Sequence, residues 1–176
     1  MRRLWLLPAV PIAALDQWVK WWATENLLPK VVFSSQLHFT QPFVPGVDLT
    51  YVTNTGAAFS MLGGGAARWF LAAVSALAAA AIVVTVCKGW VTRPFGVISL
   101  SCVLGGAAGN LIDRVWQGYV VDMFEFTFVK FAIFNVADIF ISVGGACLVL
   151  YLLLDARKKG PDAGLDKDLG TDGDED

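Results

Sequence analysis

The chain has 176 residues, 56% hydrophobic and 16% charged, against roughly 45–50% and about 25% for soluble domains, and its mean hydropathy is +0.61. That balance excludes an ordinary water-soluble domain and points to an integral membrane protein. The 13 Lys and Arg against 15 Asp and Glu leave a net charge of −2, with the acids crowded into the C-terminal tail, so no nucleic-acid partner is expected.

Four apolar runs, each close to the ~20 residues that cross a hydrocarbon core, set the organisation: Leu4–Trp22, Trp69–Cys87, Pro94–Leu111 and Phe131–Leu154. Arg2 and Arg3 before LWLLPAVPIAA also fit a secretory signal peptide. The apolar pattern continues through Trp18, Val19, Trp21 and Trp22, however, which favours an uncleaved first helix. Between the first two runs, residues 25–68 alternate apolar and polar in VVFSSQLHFT and VDLTYVTN, with breaks at Pro29, Pro42, Pro45 and Gly46. This predicts a small β element on the outer membrane surface, ending in a Gly63-Gly64-Gly65 hinge. The second run, rich in Ala and Val, carries no polar site residue and reads as structural; the third ends in GGAAGN, whose small residues let helices approach closely. Val115–Lys130 is a short, aromatic, amphipathic segment expected to lie in the interface. The fold class is therefore a mostly α membrane protein of four transmembrane helices, with an extracytoplasmic β element and an interfacial segment before the last helix. The membrane domain is expected over 1–154 and a disordered, acidic tail over 155–176.

Counting Lys and Arg with the N-terminus inside places Arg2, Arg3, Lys88, Arg93, Arg157, Lys158, Lys159 and Lys167 in the cytoplasm. Lys20, Lys30, Arg68, Arg114 and Lys130 fall outside, so both termini are expected to be cytoplasmic. The tryptophans at or near helix ends fit an aromatic belt. Cys87, Cys102 and Cys147 show no paired spacing and read as packing residues, with neither a disulfide framework nor a metal site indicated. His38 is the sole histidine, which argues against a histidine triad or a multi-histidine metal centre.

The polar residues inside the apolar pattern carry the chemistry. Asp122 in VVDMFEF and Asp138 in FNVADIFI are expensive at membrane depth. Asp16 and Lys20 share a helix face at i,i+4, as do Asn110 and Arg114, and Asn135 lies three residues before Asp138. Asn54 precedes Gly56 in NTGAAF, where an unusual turn is possible. Plainer readings stand beside these: an orienting ion pair for Asp16 and Lys20, solvation and anchoring for Asp113 and Arg114, a turn residue for Asn54. Two aspartates brought close together share a proton, so one can serve as base toward water while the other polarises a carbonyl. That is aspartic-protease chemistry and needs no cofactor. A proton-coupled transporter using the same carboxylates is the alternative, as is a non-catalytic scaffold; spacing alone leaves the pairing of the two aspartates open.

The ordered set DQWVK, NTGAAFS, GGAAGNLIDR, VVDMFEF and FNVADIFI across four helices resembles the bacterial lipoprotein signal peptidases (type II), over Leu4 to Leu154. The resemblance implies an intramembrane aspartic endopeptidase of the bacterial cytoplasmic (inner) membrane, active near its outer face. It would cut diacylglyceryl-modified prolipoproteins just before the lipidated cysteine. It also implies Asp122 and Asp138 as catalytic pair, with Asp16, Lys20, Asn54, Asn110, Arg114 and Asn135 as substrate-site residues. On this reading Lys20 and Arg114 are expected to meet lipid head-group oxygens or backbone carbonyls. Membrane lipids and globomycin-type cyclic peptide inhibitors are the implied partners, and the outer β element resembles the family's cradle. Met123, Ala132 and Ile139 depart from the residues usual at those positions, which bears on the shape of the pocket.

Overall fold

A computed structural model describes residues 6–34, 39–56 and 65–159. Arg2, Arg3, His38, the Gly63-Gly64 part of the expected hinge and the tail from residue 160 lie outside the described residues. The elements run α1 (Ala9–Asn26), α2 (Leu28–Phe33), β1 (Gln41–Val44), β2 (Val47–Asn54), α3 (Ala66–Lys88), α4 (Pro94–Trp116), β3 (Val120–Phe126) and α5 (Val136–Lys159).

Helices α3, α4 and α5 are long and apolar enough to cross a membrane. The fourth helix of the bundle, α1, is more polar, carrying Asp16, Lys20 and Glu25 within its 18 residues. Its buried positions are Ala9, Ile12, Asp16, Lys20 and Ala23, continued by Leu27. The spacing of three and four puts them on one face, while Val10, Leu15, Trp18 and Trp21 on the other sides are exposed. The helix is thus inverted relative to a soluble one: charge inward, apolar surface outward toward lipid.

Helix α4 is the centre of the bundle, packed against α1, α3 and α5. Its glycines make this possible. A Cβ at Gly105 would strike Ile12 and the Ala9 carbonyl of α1, one at Gly106 the Ala137 carbonyl of α5, and one at Gly109 the Asp16 carboxylate. Where lipid supplies no hydrophobic driving force between helices, such close backbone approach is a principal source of packing energy.

The β element is a three-stranded antiparallel sheet in the order β1-β2-β3. Strands β1 and β2 form a hairpin turning at Pro45 and Gly46, whose φ of 90° suits glycine. The third strand comes from the segment expected to be interfacial: α4 ends, Gly118 (φ 91°) reverses the chain, and β3 pairs along β2 with Val52 opposite Asp122 and Asn54 opposite Val120. Alternation along β3 turns Val121 and Met123 into a core with Ala23, Leu27, Leu49 and Tyr51. Asp122, between them, is turned the other way, toward α4 and α5. After β3 the chain folds back: Phe124 and Phe134 exchange backbone hydrogen bonds of 2.9 and 3.1 Å, and Met123 also donates to the Phe134 carbonyl. That bridge sets the start of α5 beside Asp122.

Helix α5 continues past Leu154 to Lys159, so the first five residues expected in the tail are helical, and Asp155 pairs with Arg93 at 3.3 Å. The three cysteines are free thiols.

Candidate active site

Strand β3, the N-terminus of α5, the C-terminal half of α4 and the inner face of α1 meet at one level. Asn135 occupies the position before the first turn of α5. Its side-chain oxygen accepts from the Asp138 N–H at 3.0 Å, and the Asp138 carboxylate accepts from the Asn135 N–H at 3.3 Å. This is a reciprocal capping box with Asn and Asp in place of the usual pair. The helix start therefore fixes the Asp138 side chain as part of forming the helix.

Asp122 is buried at 2% exposure and accepts from Asn135 Nδ2 at 2.6 Å and from Asn54 Nδ2 at 3.0 Å. The Asn54 oxygen accepts from the Gly56 N–H at 2.8 Å, with Gly56 at φ 83°, so an Asx-type turn at the end of β2 aims the amide nitrogen at the carboxylate. Burial pushes the Asp122 carboxyl up to about 6; the hydrogen bonds from Asn54 and Asn135 pull the other way, and the nearby Asp138 charge adds to the rise.

A cavity of about 570 Å³ opens in front of this pair. Asn54, Asp122, Asp138 and Ser142 give its wall four polar positions, and Phe126, Phe131, Phe134, Ile133, Ile139 and Ile141 make it largely apolar. Phe126 and Phe134 pack at a tilt of 47° with 4.9 Å between ring centroids, and Phe131 lies 5.8 Å from Phe126. Two carboxylates in an apolar wall suit a substrate with a hydrophobic body and one reactive polar bond.

The remaining site candidates stand behind that wall. Asn110 bridges: its nitrogen donates to Asp138 Oδ1 at 2.8 Å, and its oxygen accepts from Asn135 Nδ2 at 3.2 Å and from Lys20 Nζ at 2.9 Å. Lys20, 3% exposed, pairs with Asp16 and Asp113, each at 2.7 Å. It is therefore enclosed, with its ammonium taken up by side chains of α1 and α4, where the resemblance implies lipid head-group oxygens or backbone carbonyls as its partners. Asp16 accepts from the Ala137 N–H in the first turn of α5 at 2.8 Å, a favourable place for an anion. Arg114, half-buried, donates to the Asn110 carbonyl of its own helix at 3.3 Å.

Two members of the network do not stand out in the sequence as site residues. Asp113, read as solvation or anchoring, is 3% exposed, and Gln17 donates to it at 2.8 Å and to the Gly109 carbonyl at 3.1 Å. Their signal is helical phase: Asp113 is i+3 from Asn110, and Gln17 adjoins Asp16. Of the three departures, Met123 is fully buried in the core beneath the sheet, whereas Ala132 and Ile139 line the cavity.

Comparison with known proteins gives a consistent picture. The profile of the family described as Signal peptidase (SPase) II matches residues 9–154. A lipoprotein signal peptidase of Trichormus variabilis is 41% identical over 165 residues, covering 92% of this chain and 94% of the relative. One from Enterococcus faecalis is 38% identical over 160 residues, covering 89% and 93%. One from Escherichia coli O157:H7 is 37% identical over 163 residues, covering 90% and 93%. A solved structure described as a bacterial membrane enzyme superposes with a TM-score of 0.71 at 27% identity, covering 90% of this chain and 92% of its own.

Proposed function

The chain belongs to the signal peptidase II family, membrane-embedded proteases that remove signal peptides from lipoproteins, and we propose that Asp122 and Asp138 are the carboxylate pair with which it does so. The observation that carries this reading is the shared cavity: both side chains reach the same largely apolar wall, and Asn135 holds hydrogen bonds to each. Family membership also disposes of the transporter alternative.

In the proposed reaction the pair holds one proton. The ionised carboxylate takes a proton from a water, whose oxygen bonds to the carbonyl carbon of the scissile peptide, while the protonated partner gives its proton to the carbonyl oxygen. Collapse of the tetrahedral diol breaks the C–N bond: the amine takes a proton from the first carboxyl, one diol hydroxyl returns its proton to the partner carboxylate as the product acid's carbonyl forms, and the pair ends with one proton again. The substrate proposed is a prolipoprotein whose cysteine bears a diacylglyceryl group, cut on the N-terminal side of that cysteine. Its signal helix and acyl chains would lie in lipid beside the apolar wall. The outer sheet would cradle the substrate, and globomycin-type cyclic peptides would occupy the same cavity. The Lys and Arg distribution supports cytoplasmic termini and a site near the outer face of the bacterial inner membrane.

The test is cleavage of a diacylglyceryl-modified prolipoprotein in liposomes by wild type, Asp122→Asn and Asp138→Asn. Cleavage by wild type alone is expected. Cleavage surviving in either variant removes that aspartate from the reaction.

A further inference from the structure

The polar side chains between α1 and the catalytic pair are partnered, and the partners fix one direction. Lys20 has three N–H donors and no acceptor. Its Nζ is paired with Asp16 Oδ2 and Asp113 Oδ2, each at 2.7 Å, and donates to Asn110 Oδ1 at 2.9 Å. The end of the Asn110 amide facing Lys20 must therefore be its oxygen, and its nitrogen is left to donate to Asp138 Oδ1. The second lone pair of Asn110 Oδ1 takes Asn135 Nδ2, whose other hydrogen goes to Asp122 Oδ1. The flipped amide would set Asn110 oxygen against a carboxylate oxygen and an NH₂ against an ammonium.

We infer that Lys20, held by Asp16 and Asp113, is a positioning residue that sets the polarity of the Asn110–Asn135 amide chain and so presents N–H donors to both aspartates. This rests on the assignment of Asp122 and Asp138 as the catalytic pair. Besides the pair itself, the charged groups around the chain are Asp16 and Lys20 from α1 and Asp113 and Arg114 from α4; β2 contributes the neutral Asn54. Donors on a carboxylate favour its ionised form, so losing the polarity penalises the base at acid pH.

The test compares two double variants, Lys20→Met/Asp113→Asn and Lys20→Gln/Asp113→Asn. Each keeps the cluster at the same formal charge as wild type, because one cation and one anion leave together, and the amide introduced at position 113 can still accept from Gln17. They differ in whether residue 20 can donate to Asn110. The Met variant is expected to lose about tenfold in kcat relative to the Gln variant, the scale of one hydrogen bond, with KM within about twofold and the acid limb of its pH–rate profile moved to higher pH. Equal kcat and equal acid limbs in the two variants would overturn the inference, as would a rise in KM with kcat unchanged, which would place Lys20 on the substrate. If the Met variant does not fold, the Gln variant carries the test: an acid limb at the wild-type position supports the inference, and one moved to higher pH overturns it. Asp122→Asn and Asp138→Asn run in parallel, so failure of the catalytic assignment shows as their retained cleavage, independently of residue 20.

Discussion

Asn135 performs two separable tasks, and two substitutions separate them. Its oxygen caps α5 through the Asp138 N–H at 3.0 Å, while its nitrogen serves Asp122 at 2.6 Å and Asn110 at 3.2 Å. Asn135→Ser keeps a cap acceptor but removes both amide donors. Asp122 Oδ1 then loses its short hydrogen bond in a buried place, a loss of ~1–3 kcal/mol. If that falls on the reacting state it corresponds to about a five- to hundredfold lower kcat. Asn135→Ala removes the cap as well and is expected to cost about 1 kcal/mol more in stability. Cleavage kinetics in liposomes and thermal melting in detergent read the two effects apart. Wild-type cleavage by a folded Ser variant would refute the bridging role; identical melting of the Ser and Ala variants would refute the cap.

Three further outcomes are expected. Because burial, with the Asp138 charge adding to it, raises the Asp122 carboxyl to about 6, Asp122 is the member that holds the shared proton; raising the pH through about 6 removes it and leaves both carboxylates ionised, so kcat/KM should fall on the alkaline side, and a rate that keeps rising through that range would contradict the assignment. Gly106→Ala places a methyl against the Ala137 carbonyl of α5, and since that neighbour is backbone, the first turn of α5 must move; a destabilisation of ~1–3 kcal/mol and a loss of cleavage should appear together. Arg68 of α3 donates to the Arg114 and Val115 carbonyls at 2.6 and 2.9 Å, capping the end of α4. Arg68→Ala should lower the melting temperature more than it lowers kcat, and an unchanged melting curve would deny the cap.

The four long helices were legible because their apolar runs are long, and the carboxylates because charge stands out in them; the start of VVFSSQLHFT, expected to be strand, is instead the end of the short helix α2. The sheet was half legible. The alternation in VDLTYVTN announces β2, but Val115–Lys130 looks amphipathic and interfacial when read locally, and only pairing with β2 and the Phe124–Phe134 bridge make it a strand. Lys20 shows the same limit in the other direction. Its helix face, shared with Asp16, follows from spacing, but nothing local tells which neighbour that face will meet. The glycines of α4 decide it: they bring α1 close enough for Asp16 to reach the Ala137 N–H and for Lys20 to reach Asn110.

That closeness explains why so many charges sit where none is cheap. A buried ion pair seldom adds net stability, but removing one partner from it is costly. The Asp16–Lys20–Asp113 cluster is therefore poorly explained as a stabiliser of the bundle, which its small residues already pack. It is better explained by what it faces. Asp16 ends on the first turn of α5, which carries Asp138, and Lys20 ends on Asn110, which holds Asp138. Each of these two charges terminates within one hydrogen bond of an element that positions Asp138, one of the two carboxylates proposed to be catalytic. On the cavity side the pair meets a largely apolar wall whose other polar residues are Asn54 and Ser142, and few groups there are able to hold it. The rigidity that a proton-sharing pair needs must then come from behind, through satisfied hydrogen bonds in a low-dielectric interior, where each bond is stronger than it would be in water.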